Sequence, residues 1–161
     1  KKPLAWNVAL VNAVQEEVGC IGAGMITHRI QPDAAICIDV THATDSPGLD
    51  KGKFGDIKLG KGPAVIHGTA NHPNLVARLE IVADKNKINL QHEAAGRRTG
   101  TDTDSIYVSR NGVASALVSL PLRYMHSPVE TAALSDVEDT IKLLVELIKS
   151  LKPGDSFGHK L

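Results

Sequence analysis

Short apolar runs alternate along this chain with longer stretches in which apolar residues recur three and four positions apart, the two periods expected of strands and helices. Residues 4–14, with Val8, Leu10, Val11 and Val14, read as a buried strand. The small residues that follow, Gly22, Ala23 and Gly24 between Cys20 and Ile26, open a helix able to pack closely on a sheet. After a turn at Pro32 and Asp33, residues 34–40 form a continuous apolar run of the kind covered on both faces. Residues 41–62 carry Pro47 and five glycines, so they predict a long irregular connection around a brief strand at 56–59. A strand is expected at 63–67 and a helix at 72–84, where Leu75, Val76, Leu79, Val82 and Ala83 keep helical spacing. A further strand is expected at 88–92, then a polar loop at 96–104, a short helix at 105–109 and the last clear buried strand at 114–120. Residues 134–151 close the chain as an amphipathic helix with Val137, Ile141, Leu144, Val145 and Ile148 on one stripe, ended by Pro153 and Gly154. Strands alternating with helices predict an α/β sandwich of helices on a mixed sheet.

Length and charge narrow the class. At 161 residues and 42% hydrophobic side chains, the chain supports one sizeable core, and residues 1–161 are expected to form a single domain. Its 18 basic and 18 acidic residues cancel without a basic block, which argues against nucleic acid or a membrane surface and for a peptide or small-molecule substrate. Cys20 and Cys37 are too few for a disulfide framework, so reduced thiols and a cytoplasmic location are expected. Lys1, Lys2 and Pro3 lead almost directly into an apolar run, which reads as a chain entered midway.

The chemistry-bearing residues gather at the ends of apolar runs. Glu16 and Glu17 stand side by side where the first run breaks before Gly19, Asp39 closes the second, and His126 follows the last. In open α/β sheets ligands collect beyond the carboxyl ends of strands, so residues so placed can meet in space. Adjacent carboxylates can divide two tasks, one gripping a cation while its neighbour handles a proton. Carboxylate and imidazole donors together suit zinc, cobalt or manganese. Each residue also has a structural reading: a solvated acidic pair, a turn cap at Asp39, a hydrogen-bonded histidine at 126. His42 and Asp45 stand close behind Asp39 and are candidates to support it. His28, His67, His72, His92 and His159 share no local metal-ligand spacing.

In order, these blocks resemble those of the glutamyl and tetrahedral aminopeptidases, metallopeptidase family forty-two, whose members are sometimes labelled endoglucanases. The first runs from Val14 through Gln15, Glu16, Glu17, Val18 and Gly19 to Gly22 and Ala23, and the second spans 35–43 with Asp39, His42, Asp45, Pro47 and Gly48. The segments 59–63 and 100–102 resemble two more, and 120–130, containing Arg123, Tyr124, Met125, His126, Ser127, Pro128 and Glu130, carries the strongest likeness. The resemblance implies a three-layer helix/mixed-sheet/helix sandwich like that of zinc exopeptidases. It implies a metal-dependent aminopeptidase with two divalent ions, zinc or cobalt, acting on peptides as part of a homo-oligomer. Carried over by position, Glu16 corresponds to the general base, Glu17 and His126 to ligands of one ion, and Asp39 to a ligand of the other.

The family pattern also holds, upstream of the glutamate pair, a histidine, a metal-bridging aspartate and an inserted β-rich domain. None is found here, and Asn7 and Asn12 are poor substitutes for a bridging carboxylate. The chain therefore reads as the carboxyl-terminal half of a catalytic domain, an incomplete version of the sandwich, and these residues alone are expected to bind metal weakly and hydrolyse peptides poorly. The alternative is an inactive fragment or degenerate homologue that serves as an assembly module. A two-carboxylate glycosidase fits less well, because its acids flank a sugar bond roughly 5 Å or more apart, and it leaves His126 without a role.

Overall fold

The computed structural model describes residues 3–158, so Lys1, Lys2 and His159 lie outside the described residues. The elements run α1 (Ile21–Ile30), β1 (Ala34–His42), α2 (Lys51–Phe54), β2 (Ala64–Gly68), α3 (Pro73–Asn86), β3 (Gln91–Ala95), α4 (Thr103–Ile106), β4 (Ala114–Arg123), β5 (Thr131–Ala132) and α5 (Leu134–Ser150). They build a five-stranded mixed sheet in the order β1-β4-β2-β3, with the short β5 paired to β4. β1 and β4 are parallel, β2 is antiparallel to β4, and β3 is parallel to β2. Among the described residues no helix is long and apolar enough to cross a membrane.

Strand alternation sends successive side chains to opposite faces, and each face finds its own helices. Val65, Ala116 and Val118 pack with Leu75, Val76 and Leu79 of α3 and Leu143 and Leu147 of α5. Their neighbours Cys37, Ala64, Ile66 and Leu117 pack on the other side with Ala23 of α1 and Ile106 of α4. The expected three layers are thus present. At roughly 1.5–3 kcal/mol for each fully buried Leu or Val, the five buried residues of α3 alone commit that helix to the sheet.

Four expectations change. Residues 4–14 form no strand: Leu10 is 95% exposed, and the segment touches the fold mainly at its ends. Trp6 meets Phe157 edge-on and donates through Nε1 to the carbonyl of Lys152, whereas Ala13 packs with the α1 side of the sheet. An extended run becomes a strand only where its amides find a neighbour, and among the described residues β1 pairs on one side only, with β4. Residues 56–59 are likewise not a strand, because Ile57 exchanges hydrogen bonds with the backbone and hydroxyl of Thr44. Ile88 follows the end of α3 and caps it, its amide bonding the carbonyl of Ala83, so β3 starts later, where the Gln91 amide donates to Pro63 O.

The fourth change rotates α5. Its buried stripe is Asp136, Thr140, Leu143 and Leu147, while Ile141 is 57% exposed and Val145 is 40% exposed. The cause is Asp136, 1% exposed, whose carboxylate accepts the amides of Gly60 and Gly62, each at 2.8 Å. Hydrogen bonds to a buried charge outweigh the burial of one more aliphatic side chain, so the polar residue turns inward.

Candidate functional site

β1 and β4 are parallel, so their carboxyl ends open on the same side of the sheet. Asp39 sits within β1 opposite Ser119 of β4, and alternation places it on the face that carries Cys37 and α1. His126 lies in the loop that follows β4. Glu16 and Glu17 occupy the turn before α1, where the amides of Gly19 and Cys20 bond the carbonyl of Glu16 and that of Gly22 bonds Val14 O. Gly22 is required there, since a Cβ would stand 2.4 Å from the carbonyl oxygen of Val14.

Glu17 and His126 meet, with Glu17 Oε1 3.5 Å from His126 Nε2, although both side chains are open to solvent. Glu16, Glu17, Asp39 and Asp102 share one electrostatic neighbourhood. Burial raises the Glu16 carboxyl above the ordinary carboxylate range, and the charges of Asp39, Glu17 and Asp102 raise it further. Asp39 is raised first by burial and then by Glu17, against the lowering effect of the Val40 amide that bonds its Oδ1 at 2.8 Å. Asp102 is raised by burial and by Asp39. Ligand atoms of Glu17, Asp39 and His126 do not close into one compact trio; among the described residues only a different set does.

A cleft of about 280 Å³ opens beside this group, lined by Glu16, Glu17, Gly19, Cys20, Arg98, Gly100, Asp104 and Ser105. Arg98 is exposed and stands on this wall. Asp104 shapes the adjoining loop by accepting the amides of Thr99 and Gly100. Cys20 donates weakly to Glu16 Oε1, and burial together with Glu16 and the neighbouring aspartates pushes its thiol up to about 11. A thiol held protonated at neutral pH is a weak nucleophile.

The loops bearing the site are tied together. Arg123 at the end of β4 forks onto Asp45 beyond β1, Nε to Oδ1 at 3.1 Å and Nη2 to Oδ2 at 2.7 Å. His126, three residues on, has its amide held by Glu130 Oε1 at 2.7 Å. Gln15, Tyr124 and His126 all take positive φ, near 60°, a conformation that costs a side-chain-bearing residue about 1 kcal/mol or more. Such backbone is kept only where neighbours enforce it, and here it flanks the Glu17–His126 contact.

Sequence reasoning did not place Asp102 or Glu93 at this face. Asp102 ends the segment 100–102 singled out in the sequence, but only the fold shows its Oδ1 buried without a hydrogen-bond partner beside Asp39. Glu93 reaches across the sheet from β3 to accept the hydroxyl of Thr41 on β1 at 2.7 Å, and burial raises its pKa. No local pattern marks that contact.

Carboxylates that destabilise one another's charge, an orphaned buried aspartate oxygen and an adjacent imidazole are the donor chemistry of a divalent-cation site. Comparison with known proteins points the same way. The family model described as M42 glutamyl aminopeptidase matches residues 1–143. The chain is 44% identical over 149 residues to the lysyl aminopeptidase of Pyrococcus furiosus, a match that takes in 92% of this chain and 42% of that protein. Among solved structures it is similar to an aminopeptidase from the archaeon Desulfurococcus kamchatkensis, with a TM-score of 0.80 and 36% identity over 88% of this chain and 41% of the other. It is also similar to the Pyrococcus horikoshii TET1 peptidase, which assembles into a tetrahedron or a large octahedral shell, with a TM-score of 0.70 and 31% identity over 86% of this chain and 40% of that one. The chain therefore spans about two-fifths of the length of the relatives it matches.

Proposed function

This chain belongs to the M42 glutamyl aminopeptidase family, and on that premise we propose that it forms part of the active site of a metal-dependent aminopeptidase that removes amino-terminal residues from peptides. The observation that carries the reading is the approach of His126 to Glu17 at 3.5 Å, in an acidic neighbourhood shared with Glu16, Asp39 and Asp102 beside an open cleft. Glu17 and His126 would hold one divalent ion and Asp39 a second, zinc or cobalt by the chemistry of the donors. When bound, such ions supply Lewis acidity that acidifies water and polarises the scissile carbonyl.

Glu16 does the proton work. Its place in the same turn as Glu17 lets it face what Glu17 grips. It takes the proton of the attacking water and returns it to the leaving amine nitrogen as the C–N bond breaks. Arg98, on the cleft wall, is placed to meet a negatively charged part of a peptide. The Asp45–Arg123 fork orients the two loops rather than touching substrate.

Residues 1–161 are read as one partial catalytic domain whose complete form is a cytoplasmic homo-oligomer. The test is hydrolysis of aminoacyl-nitroanilides with added zinc or cobalt, by this chain alone and by a protein carrying the stretch that the relatives have and this chain does not match. The first should turn over poorly and the second well, and Glu16→Gln in the longer protein should lower kcat by at least a hundredfold. Full activity in the Glu16→Gln protein, or unchanged metal content on combining Glu17→Gln with His126→Ala, would remove the proposal.

A further inference from the structure

We propose a second, separate metal site: a zinc-binding triad of His67, Glu80 and His92 at the outer edge of the sheet. Three elements bring it together. His67 is on β2, His92 on the neighbouring edge strand β3, and Glu80 on α3, which packs on β2. In the β2/β3 register Val65 lies opposite His92, so alternation puts Val65, His67 and His92 on one face, and Val65 shares a buried cluster with Leu79 and Val76 of α3. The acidic cleft belongs to the opposite face, with Cys37 and α1. The triad is therefore independent of the Glu16 group in space and in sequence.

The geometry is that of a ligand set. His67 Nε2 lies 3.0 Å from His92 Nδ1, and Glu80 Oε1 lies 3.6 Å from each of these nitrogens. Zinc bound tetrahedrally at about 2.0–2.2 Å sets its donor atoms roughly 3.3 Å apart, so one ion fits this triangle with shifts of a few tenths of an ångström. Two imidazoles and a carboxylate favour zinc over magnesium or calcium, and three protein donors leave a fourth position to water. Without metal, one imidazole must donate to the other. On binding, both lone pairs turn to the ion and the ring protons reside on His67 Nδ1 and His92 Nε2.

The backbone prepares the site. The β2/β3 ladder fixes both histidines, and Glu80 follows Leu79, which is fully buried, so the helix that carries it cannot drift. The side chains are 36–54% exposed, which leaves an entry path. Bound zinc would tie edge strand β3 to the helix above it. The pairing was invisible locally, because the histidines are separated by 25 positions and meet only through strand pairing.

The experiment is calorimetric titration of zinc chloride into the whole chain carrying Glu17→Gln and His126→Ala, which disables the pair in the cleft. One zinc should still bind, and adding His92→Ala or His67→Ala should weaken that binding at least tenfold. Cobalt substitution should give the intense visible bands of a four-coordinate ion, and these should vanish with His92→Ala. Circular dichroism checks that the variants fold. In the unmutated chain, zinc should selectively shift the NMR ring-proton signals of His67 and His92. Absence of zinc binding in the cleft-disabled chain, binding unaffected by the histidine variants, or unmoved His67 and His92 signals would each overturn the proposal.

Discussion

Gly22→Ala tests how the fold fixes the glutamate turn, and Gly24→Ala in the same helix supplies the control. Both lie in α1 with ordinary helical backbone, so each alanine gains helix propensity of up to about 1 kcal/mol. The surroundings differ. A Cβ on Gly22 would meet the carbonyl oxygen and nitrogen of Val14 at 2.4 and 2.7 Å, whereas on Gly24 its nearest neighbour is Ser105 Cβ at 3.4 Å. Backbone atoms cannot rotate away, so Val14 must retreat by roughly 0.6–1 Å to reach an ordinary contact. That retreat breaks the 3.1 Å bond from the Gly22 amide to Val14 O and strains its 3.3 Å neighbour from Ile21 to Gln15. Two such bonds together contribute about 1–3 kcal/mol, and the propensity gain cancels between the variants. Gly22→Ala should therefore be about 1–3 kcal/mol less stable than Gly24→Ala. With a urea slope of about 2 kcal/mol/M, the midpoints should differ by roughly 0.5–1.5 M. Midpoints agreeing within 0.2 M would show that the turn carrying Glu16 and Glu17 is not held by this close approach.

Asp136→Ala strips the acceptor from the amides of Gly60 and Gly62 and should cost about 3–5 kcal/mol in urea unfolding, with Asp136→Asn intermediate. A loss under 1 kcal/mol would mean the buried carboxylate does not set the orientation of α5. Asp45 answers to pH. The Arg123 fork, then burial working against it, leaves the Asp45 carboxyl below its ordinary 3.8, so the stabilisation is fully present above that value and is lost as pH falls through the lower folded value. Because both side chains are partly exposed, Asp45→Asn should cost only about 0.5–1.5 kcal/mol at pH 7, and the difference should shrink steadily below about pH 4. A gap that persists unchanged into strong acid would contradict the fork as its source.

The sequence by itself determined what depends on neighbours a few positions away. The spacing of Leu75, Val76, Leu79 and Val82 specified α3, the apolar run around Cys37 specified β1, and the strand–helix alternation specified a layered α/β fold. It also marked Glu16, Glu17, Asp39 and His126 as residues of unusual chemistry, and its ordered blocks pointed to the family that the comparisons then showed. Tertiary structure decided what depends on distant partners. An apolar run such as 4–14 is a strand only if another strand receives its amides, and that choice is not written in the run itself. The rotation of α5 followed from two glycine amides more than 70 positions away, a hydrogen-bond demand that outweighs the amphipathic pattern. Asp102 beside Asp39, Glu93 bonded to Thr41 and His67 facing His92 are likewise products of sheet order, because burial and charge act through space while sequence patterns record only the chain's own neighbours.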